Sequence, residues 1–331
     1  MSTAVLKTRL TEFFGIECPV LLAPMAGVSG GRLAAAVTAA GGLGIIGGGY
    51  GDAEWLGRQL DEAQDARVGV GFITWSLAPD PEVLDVATAR RPATIMLSFG
   101  DPGQFADHIH RANIPLTVQV QTLGHARRAL DVGAEIIVAQ GGEAGGHGMG
   151  ARSTFTLVPD IVDLVEKHSP KTLVAAAGGV ADGRGLAAAL ALGADGVLVG
   201  TRLWASTEAL VTSEAQQRAM EASGDDTVRT RVYDIVRQRD WPEKYDLRLV
   251  ANPLIEAWHG NESELRARLP EAVSAFQKAE AEQDFDVITP LVGEAISLIH
   301  DARPAADIVR DMVENAIRIL NRAEAPSLVQ R

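Results

Sequence analysis

Residues 172–202 read TLVAAAGGVADGRGLAAALALGADGVLVGTR, and their punctuation decides the fold. The run 172–176 is apolar almost without interruption, as a strand buried on both faces requires. Gly178-Gly179 breaks it. Asp182 is placed to cap a helix through 186–192, and Gly193 to stop it. A second apolar run, 196–199, ends in Gly200-Thr201-Arg202. Strand, helix and strand with glycine turns make one parallel-sheet unit.

The same rhythm recurs outward from this unit. Strands are expected at 20–23, 43–46, 68–73, 93–99, 116–120, 135–139, 172–176 and 196–199. Ser29 is placed to cap a helix over 32–40, with Gly41-Gly42 as its stop. Pro81, Pro102 and Pro159 stand near the starts of others, where a missing N–H costs least. Eight strand-then-helix units predict an α/β fold, a (β/α)8 TIM barrel. The rival is a doubly wound sheet, which usually has fewer strands and its glycine loop near the first one. Here glycines follow strands one, two, six, seven and eight.

After about Leu203 the rhythm changes. The stretches 207–224 and 263–283 look helical and amphipathic. Between them, 227–260 holds Tyr233, Trp241, Tyr245 and Trp258 and shows no strand pattern. The expected organisation is a barrel built from 1–208 and 291–331, with a smaller helical lid subdomain, 209–290, inserted near the C-terminal end. The stretches 293–300 and 304–320 then return to the barrel wall.

Bulk properties narrow the function. A chain of 331 residues is long enough for a full-sized core, and 47% hydrophobic with 5% aromatic residues means a core of Ala, Val, Leu and Ile. The net charge of −13 argues against nucleic acid and anionic membrane surfaces as partners. A small anionic ligand, which feels local dipoles, is compatible with it. The single cysteine, Cys18, allows no internal disulfide or cysteine metal cluster. No metal site is expected, since Glu143 with His147 is too small a ligand set. Residues 1–9 lack the apolar core of a signal peptide, and no apolar run reaches the ~18 residues needed to span a bilayer. A cytoplasmic location is expected, and a homo-oligomer is left open.

In a barrel of this kind, chemistry sits at the C-terminal ends of the strands. Strand one ends in Ala23-Pro24-Met25, and strand five in Gln119 with Gln121 beyond. Strand seven ends in Ala176-Ala177-Gly178-Gly179, and strand eight in Gly200-Thr201. Strand six runs into Gln140–Gly150, QGGEAGGHGMG, six of whose eleven residues are glycine. A backbone cradle with one imidazole in it, His147, reads as a place where a proton moves. Gly178-Gly179 and Gly200-Thr201 stand where barrels commonly hold a phosphate on backbone N–H groups and a helix N-terminus. The alternative is that they only permit tight turns. Gln119 and Gln140 either meet a heteroaromatic ring or bond neighbouring backbone.

These residues resemble the nitronate monooxygenase family, also called 2-nitropropane dioxygenases, which are FMN-dependent (β/α)8 barrels. The motifs that carry the likeness are LAPMAG at 22–27, QGGEAGGHGMG at 140–150, AAAGGVADGRGLAAALALGADGVLVGTR at 175–202 and GEAISLIHDARPAADIV at 293–309. The resemblance implies that Ala23, Pro24 and Met25 line FMN with their backbone. It sets Gln140, Ala144 and Gly145 against the ring system, and Gly179, Gly200 and Thr201 on the phosphate. Gln119, Ala177 and Gly178 complete the expected cofactor wall, and the resemblance makes His147 the catalytic or substrate-binding histidine. The reaction implied is oxidation of an alkyl nitronate or nitroalkane by O2 to a carbonyl compound and nitrite. An NAD(P)H-dependent reductase of quinones or enoyl thioesters on the same fold is the alternative. Two departures stand out. Relatives often carry Asn in a GVN near the end of strand three, where this chain has Gly69-Val70-Gly71-Phe72-Ile73-Thr74, and 225–260 carries no family motif.

Overall fold

The computed structural model describes residues 5–77 and 82–323. Along the chain come β1 (Val20–Leu22), β2 (Ile45–Gly49), β3 (Gly69–Ile73), β4 (Ile95–Ser98), β5 (Leu116–Val120) and β6 (Ile136–Gln140). The next strand, β7 (Gly146–Gly148), lies outside the barrel. β8 (Leu173–Ala177) and β9 (Gly196–Val199) complete it. The order is β1-β9-β8-β6-β5-β4-β3-β2, all pairs parallel. A parallel bridge from Leu21 to Leu43 joins the two ends. All eight expected barrel strands form, so the (β/α)8 reading holds.

Strand periodicity divides the core in two. Leu21, Met96, Val138, Ala175 and Leu198 pack together with Leu10 and Phe14 of the Arg9–Phe14 helix. Their neighbours one residue along, such as Leu22, Leu97, Ala139 and Val197, pack with the surrounding helices. The first set fills the barrel and the second seats its outer helices.

Helix punctuation is partly as read. Asp182 caps the Gly183–Ala191 helix, accepting from the N–H groups of Arg184 and Gly185. Ser29 does not cap the Gly31–Ala39 helix. Its hydroxyl donates to the Ala23 carbonyl (2.8 Å) and accepts from the Met25 N–H (3.2 Å), so it ties down the loop after β1 instead. Pro102 is the N-cap residue of the Gly103–Arg111 helix. Pro159 lies inside the Thr154–His168 helix, which starts a turn earlier than a proline signal alone suggests. Pro81 lies outside the described residues.

The stretch after the barrel holds strands its pattern did not show. β10 (Thr227–Thr230) and β11 (Asp246–Val250) pair antiparallel, and β11 pairs in turn with β7. Both are short, and β11 does alternate Leu247 and Leu249 with Asp246 and Arg248, so the expectation of no strand pattern in 227–260 is corrected there. Leu247 and Leu249 of β11 face a cluster with Tyr233, Ile235, Ile255, Leu265 and Phe276. Helices Ser213–Met220 and Leu269–Glu282 fall within the stretches expected to be helical, and Glu262–Ala267 begins one residue before the second of them.

The chain then returns to the barrel through the Ala305–Ala323 helix, whose Ile308, Met312 and Ala316 join the outer core. This helix lies hard against Gly183. A Cβ there would stand 2.5 Å from the Ala316 nitrogen and 2.6 Å from the Met312 carbonyl oxygen. Backbone cannot swing aside as a side chain does. Gly183→Ala is therefore expected to cost about 1–3 kcal/mol, seen as a lower Tm with the active-site spectrum unchanged.

Candidate active site

A cavity of about 210 Å³ opens at the C-terminal ends of the barrel strands. A buried water needs only ~10–15 Å³ on that measure, so the space suits an organic ligand. Every residue expected to hold the cofactor or act in catalysis lines it. Ala23, Pro24 and Met25 arrive from β1, Gln119 from β5, and Gln140, Ala144, Gly145 and His147 from β6 and its loop. Ala177, Gly178 and Gly179 follow β8, and Gly200 and Thr201 follow β9.

The glycines set the walls. Gly178 (φ +101) and Gly179 (φ +74) are left-handed, a conformation that disfavours any Cβ. Gly71 lies in β3, and a Cβ on it would lie 2.3 Å from Pro24 Cβ. Its bareness lets the Pro24 segment lie against β3.

The two expected phosphate ends differ. The N-terminus of the Gly183–Ala191 helix is already capped by Asp182. The Thr201–Trp204 turn has Gly200 as its N-cap, with no side-chain cap, and lines the cavity. The Thr201 hydroxyl oxygen accepts from the Gly293 N–H (3.0 Å), which leaves its own proton to donate.

The glutamines bond chiefly to one another. Gln140 Oε1 accepts from Gln119 Nε2 (3.1 Å) and Gln121 Nε2 (2.8 Å), and Gln140 Nε2 donates to the His147 carbonyl (3.1 Å). The amides thus brace the base of the glycine loop as well as lining the cavity. Gln121 does not line it.

That loop is clamped from several sides. β7 makes it an edge strand, with His147 opposite Leu247. Arg229 and Arg248 both donate to the Gly142 carbonyl (3.3 and 3.1 Å). Glu143 accepts from the Thr154 N–H (3.0 Å), and its carbonyl from the Glu294 N–H (3.0 Å).

His147 itself is almost wholly buried. Its Nε2 lies 2.9 Å from Asp234 Oδ1, their side chains being 9% and 3% exposed. The Trp241 indole stacks on the imidazole, with centroids 3.4 Å apart and planes 7° from parallel. Trp241 donates its indole N–H to the Tyr50 hydroxyl (3.0 Å). Phe99 packs edge-on against both His147 and Trp241. It does so from a left-handed backbone (φ 65), costly for a bulky residue and common at functional sites.

Burial pushes the imidazole below its ordinary value of 6.5. The hydrogen bond and charge of Asp234 act against that, and Arg237 and Arg229 act with it. His147 is therefore neutral at pH 7 and able to accept a proton. Burial also raises the phenols of Tyr50 and of Tyr245, the latter to about 12, so both remain hydroxyls. Arg237 lines the same cavity and makes no ion pair among the described residues.

No site role was expected of Asp234, Arg237, Trp241, Tyr50 or Phe99. One signal for Asp234 was present: a carboxylate inside the apolar run Val232-Tyr-Asp-Ile-Val236. Among the described residues, no group of three His, Cys, Asp or Glu could hold a metal ion, and no helix is long and apolar enough to cross a membrane.

Comparison with known proteins gives a consistent result. The profile of a family described as nitronate monooxygenase matches residues 7–69 and 68–315. The chain is 31% identical to a nitronate monooxygenase of Neurospora crassa, over 96% of this chain and 94% of that protein. It is 34% identical to one of Metarhizium robertsii, over 98% and 99%. Among solved structures, FabK from Thermotoga maritima superposes with a TM-score of 0.81 at 28% identity, covering 96% of this chain and 99% of that one.

Proposed function

The chain belongs to the nitronate monooxygenase family of oxidoreductases, and we propose that it oxidises alkyl nitronates and nitroalkanes with FMN and O2, releasing a carbonyl compound and nitrite. The observation that carries this reading is a buried, neutral His147, paired with a carboxylate, on the wall of a glycine-lined cavity.

The residues fit a flavin nucleotide. Gly179 and the uncapped Gly200-Thr201 turn supply backbone and hydroxyl donors suited to a phosphate monoester. A Cβ on Gly179 would meet nothing nearer than 3.9 Å, so the room beside it is open. The 23–25 backbone, Gln119, Gln140, Ala144, Gly145 and Ala177 would hold the ring system. When bound, FMN supplies the electron-accepting chemistry, with O2 as the final oxidant.

The protein's own work is to position and to move a proton. A neutral nitroalkane enters under the Trp241 and Phe99 rings, which keep water from the reacting carbon. The imidazole nitrogen not bonded to Asp234 removes the α-proton, and the resulting imidazolium faces the new nitronate. Arg237 offers a second positive charge to the nitro oxygens. A preformed nitronate needs only the binding part of this machinery.

The pH dependence follows. Turnover of a neutral nitroalkane needs neutral His147, and protonation begins only below 6.5 because the folded-state value is lowered. The acid limb of kcat/KM is expected below pH 6.5, and an acid limb above it would contradict the assignment. Stability changes in the same sense. Below 6.5 the unfolded chain binds a proton that folded His147 resists, so stability falls as pH falls through that value.

The functional test is nitrite release. Purified protein given nitroethane in air should form nitrite with an equivalent carbonyl product, and its heat-released cofactor should run as FMN. Another flavin, or no nitrite, would count against the proposal.

A further inference from the structure

We propose that Asp234 is a positioning residue: it holds His147 as the Nε2–H tautomer and thereby presents Nδ1 as the proton acceptor. The inference rests on reading His147 as the base and goes beyond it.

Four observations carry it. A carboxylate oxygen 2.9 Å from Nε2 can only accept, so a neutral ring must carry its proton there. Nδ1 makes no hydrogen bond among the described residues. Asp234 Oδ2 is buried without a partner, and the side chain caps no backbone N–H although it sits in the first turn of the Val232–Val236 helix. A carboxylate kept for structure alone would be expected to use both oxygens, since leaving a buried acceptor unpaired is costly. Finally, everything else about His147 is already fixed. Its backbone is paired with β11, its carbonyl is held by Gln140, and its ring is stacked on Trp241. Ring flip and tautomer are what remain, and Asp234 sets both.

The groups facing the ring are few. Asp234 comes from the Val232–Val236 helix, Arg237 from just beyond it and Arg229 from β10. The Tyr50 hydroxyl is bonded to Trp241, and Tyr245 packs on Phe99 and Trp241. Both tyrosines stay neutral, so Asp234 is the acceptor that directs the proton.

The test is a ¹⁵N-histidine NMR titration of the purified holoprotein, with His147→Gln identifying the resonance. Wild type should show one tautomer, protonated at Nε2. Asp234→Ala should mix the tautomers and move the titration to lower pH. Asp234→Asn keeps an acceptor oxygen without the charge, so it should hold the tautomer yet still titrate lower. On neutral nitroalkane, Asp234→Ala should lose about 10²-fold in kcat/KM, while a preformed nitronate changes only a few-fold. Asp234→Glu should restore part of the loss. Wild type found protonated at Nδ1, or an unchanged tautomer and titration in folded Asp234→Ala, overturns the proposal. If Ala does not fold, an unmoved titration in Asp234→Asn does so. The expected NMR result without wild-type nitroalkane turnover would leave the positioning role standing and remove the proposed reaction.

Discussion

His147→Asn is expected to lower kcat/KM on neutral nitroalkanes by about 10²–10⁴-fold, the usual contribution of a positioned base, while preformed nitronates lose far less. The substitution is small and polar, and the backbone at 147 stays paired with Leu247 of β11. What disappears is the proton acceptor. A neutral substrate must shed its α-proton in the site, whereas a nitronate arrives without it. The comparison is made by measuring kcat/KM for both forms of one nitroalkane with wild type and variant. Equal losses on the two would make His147 a binding group rather than a base.

Gly145→Ala is the second large effect, and it acts through the seat of the loop. A Cβ at 145 would lie 2.4 Å from the Gly293 nitrogen and 2.5 Å from the Val292 carbonyl carbon. Both are backbone atoms. Gly293 is itself held by the Thr201 hydroxyl, and Glu294 by the Glu143 carbonyl. Neither side can yield without moving the other, and overpacking of this kind costs about 1–3 kcal/mol. The expected outcome is a lower Tm, reduced cofactor content and loss of activity together, because Ala144, Gly145 and His147 share one loop. Gly57→Ala is the control. A Cβ there meets nothing within 4 Å inside the Ala53–Glu62 helix, so stability should hold or rise by about 0.5–1 kcal/mol. Normal flavin content and Tm in Gly145→Ala would show that the contact with Gly293 is not a constraint.

The barrel was legible because its strands are buried on both faces. Runs such as Ile136–Ala139 and Val197–Val199 have no polar residue to confuse them, and glycines mark the strand ends at 140–150, 178–179 and 200. Caps were less legible. Ser29 has the right chemistry and place for a cap, yet a tertiary bond to the Ala23 loop takes its hydroxyl. The aromatic side of the site was hidden for a different reason. Asp234 reaches His147 across 87 positions, and Trp241 and Tyr50 meet across 191. Neither pair leaves a local period. β7 was unreadable as a strand because glycine has no side chain to alternate, and its partner β11 lies far along the chain. The glycine cradle was thus visible, but not the strand β11 that pairs with it.

Oxygen uptake decides the account most directly. With an electrode, purified protein is given a preformed alkyl nitronate in one run and NADH with a quinone or an enoyl thioester in another. The account predicts rapid oxygen consumption with the nitronate, nitrite appearing in step, and slow NADH oxidation. Fast NADH oxidation with no nitronate-dependent oxygen uptake would contradict it, and would make the same cavity the site of a reductase.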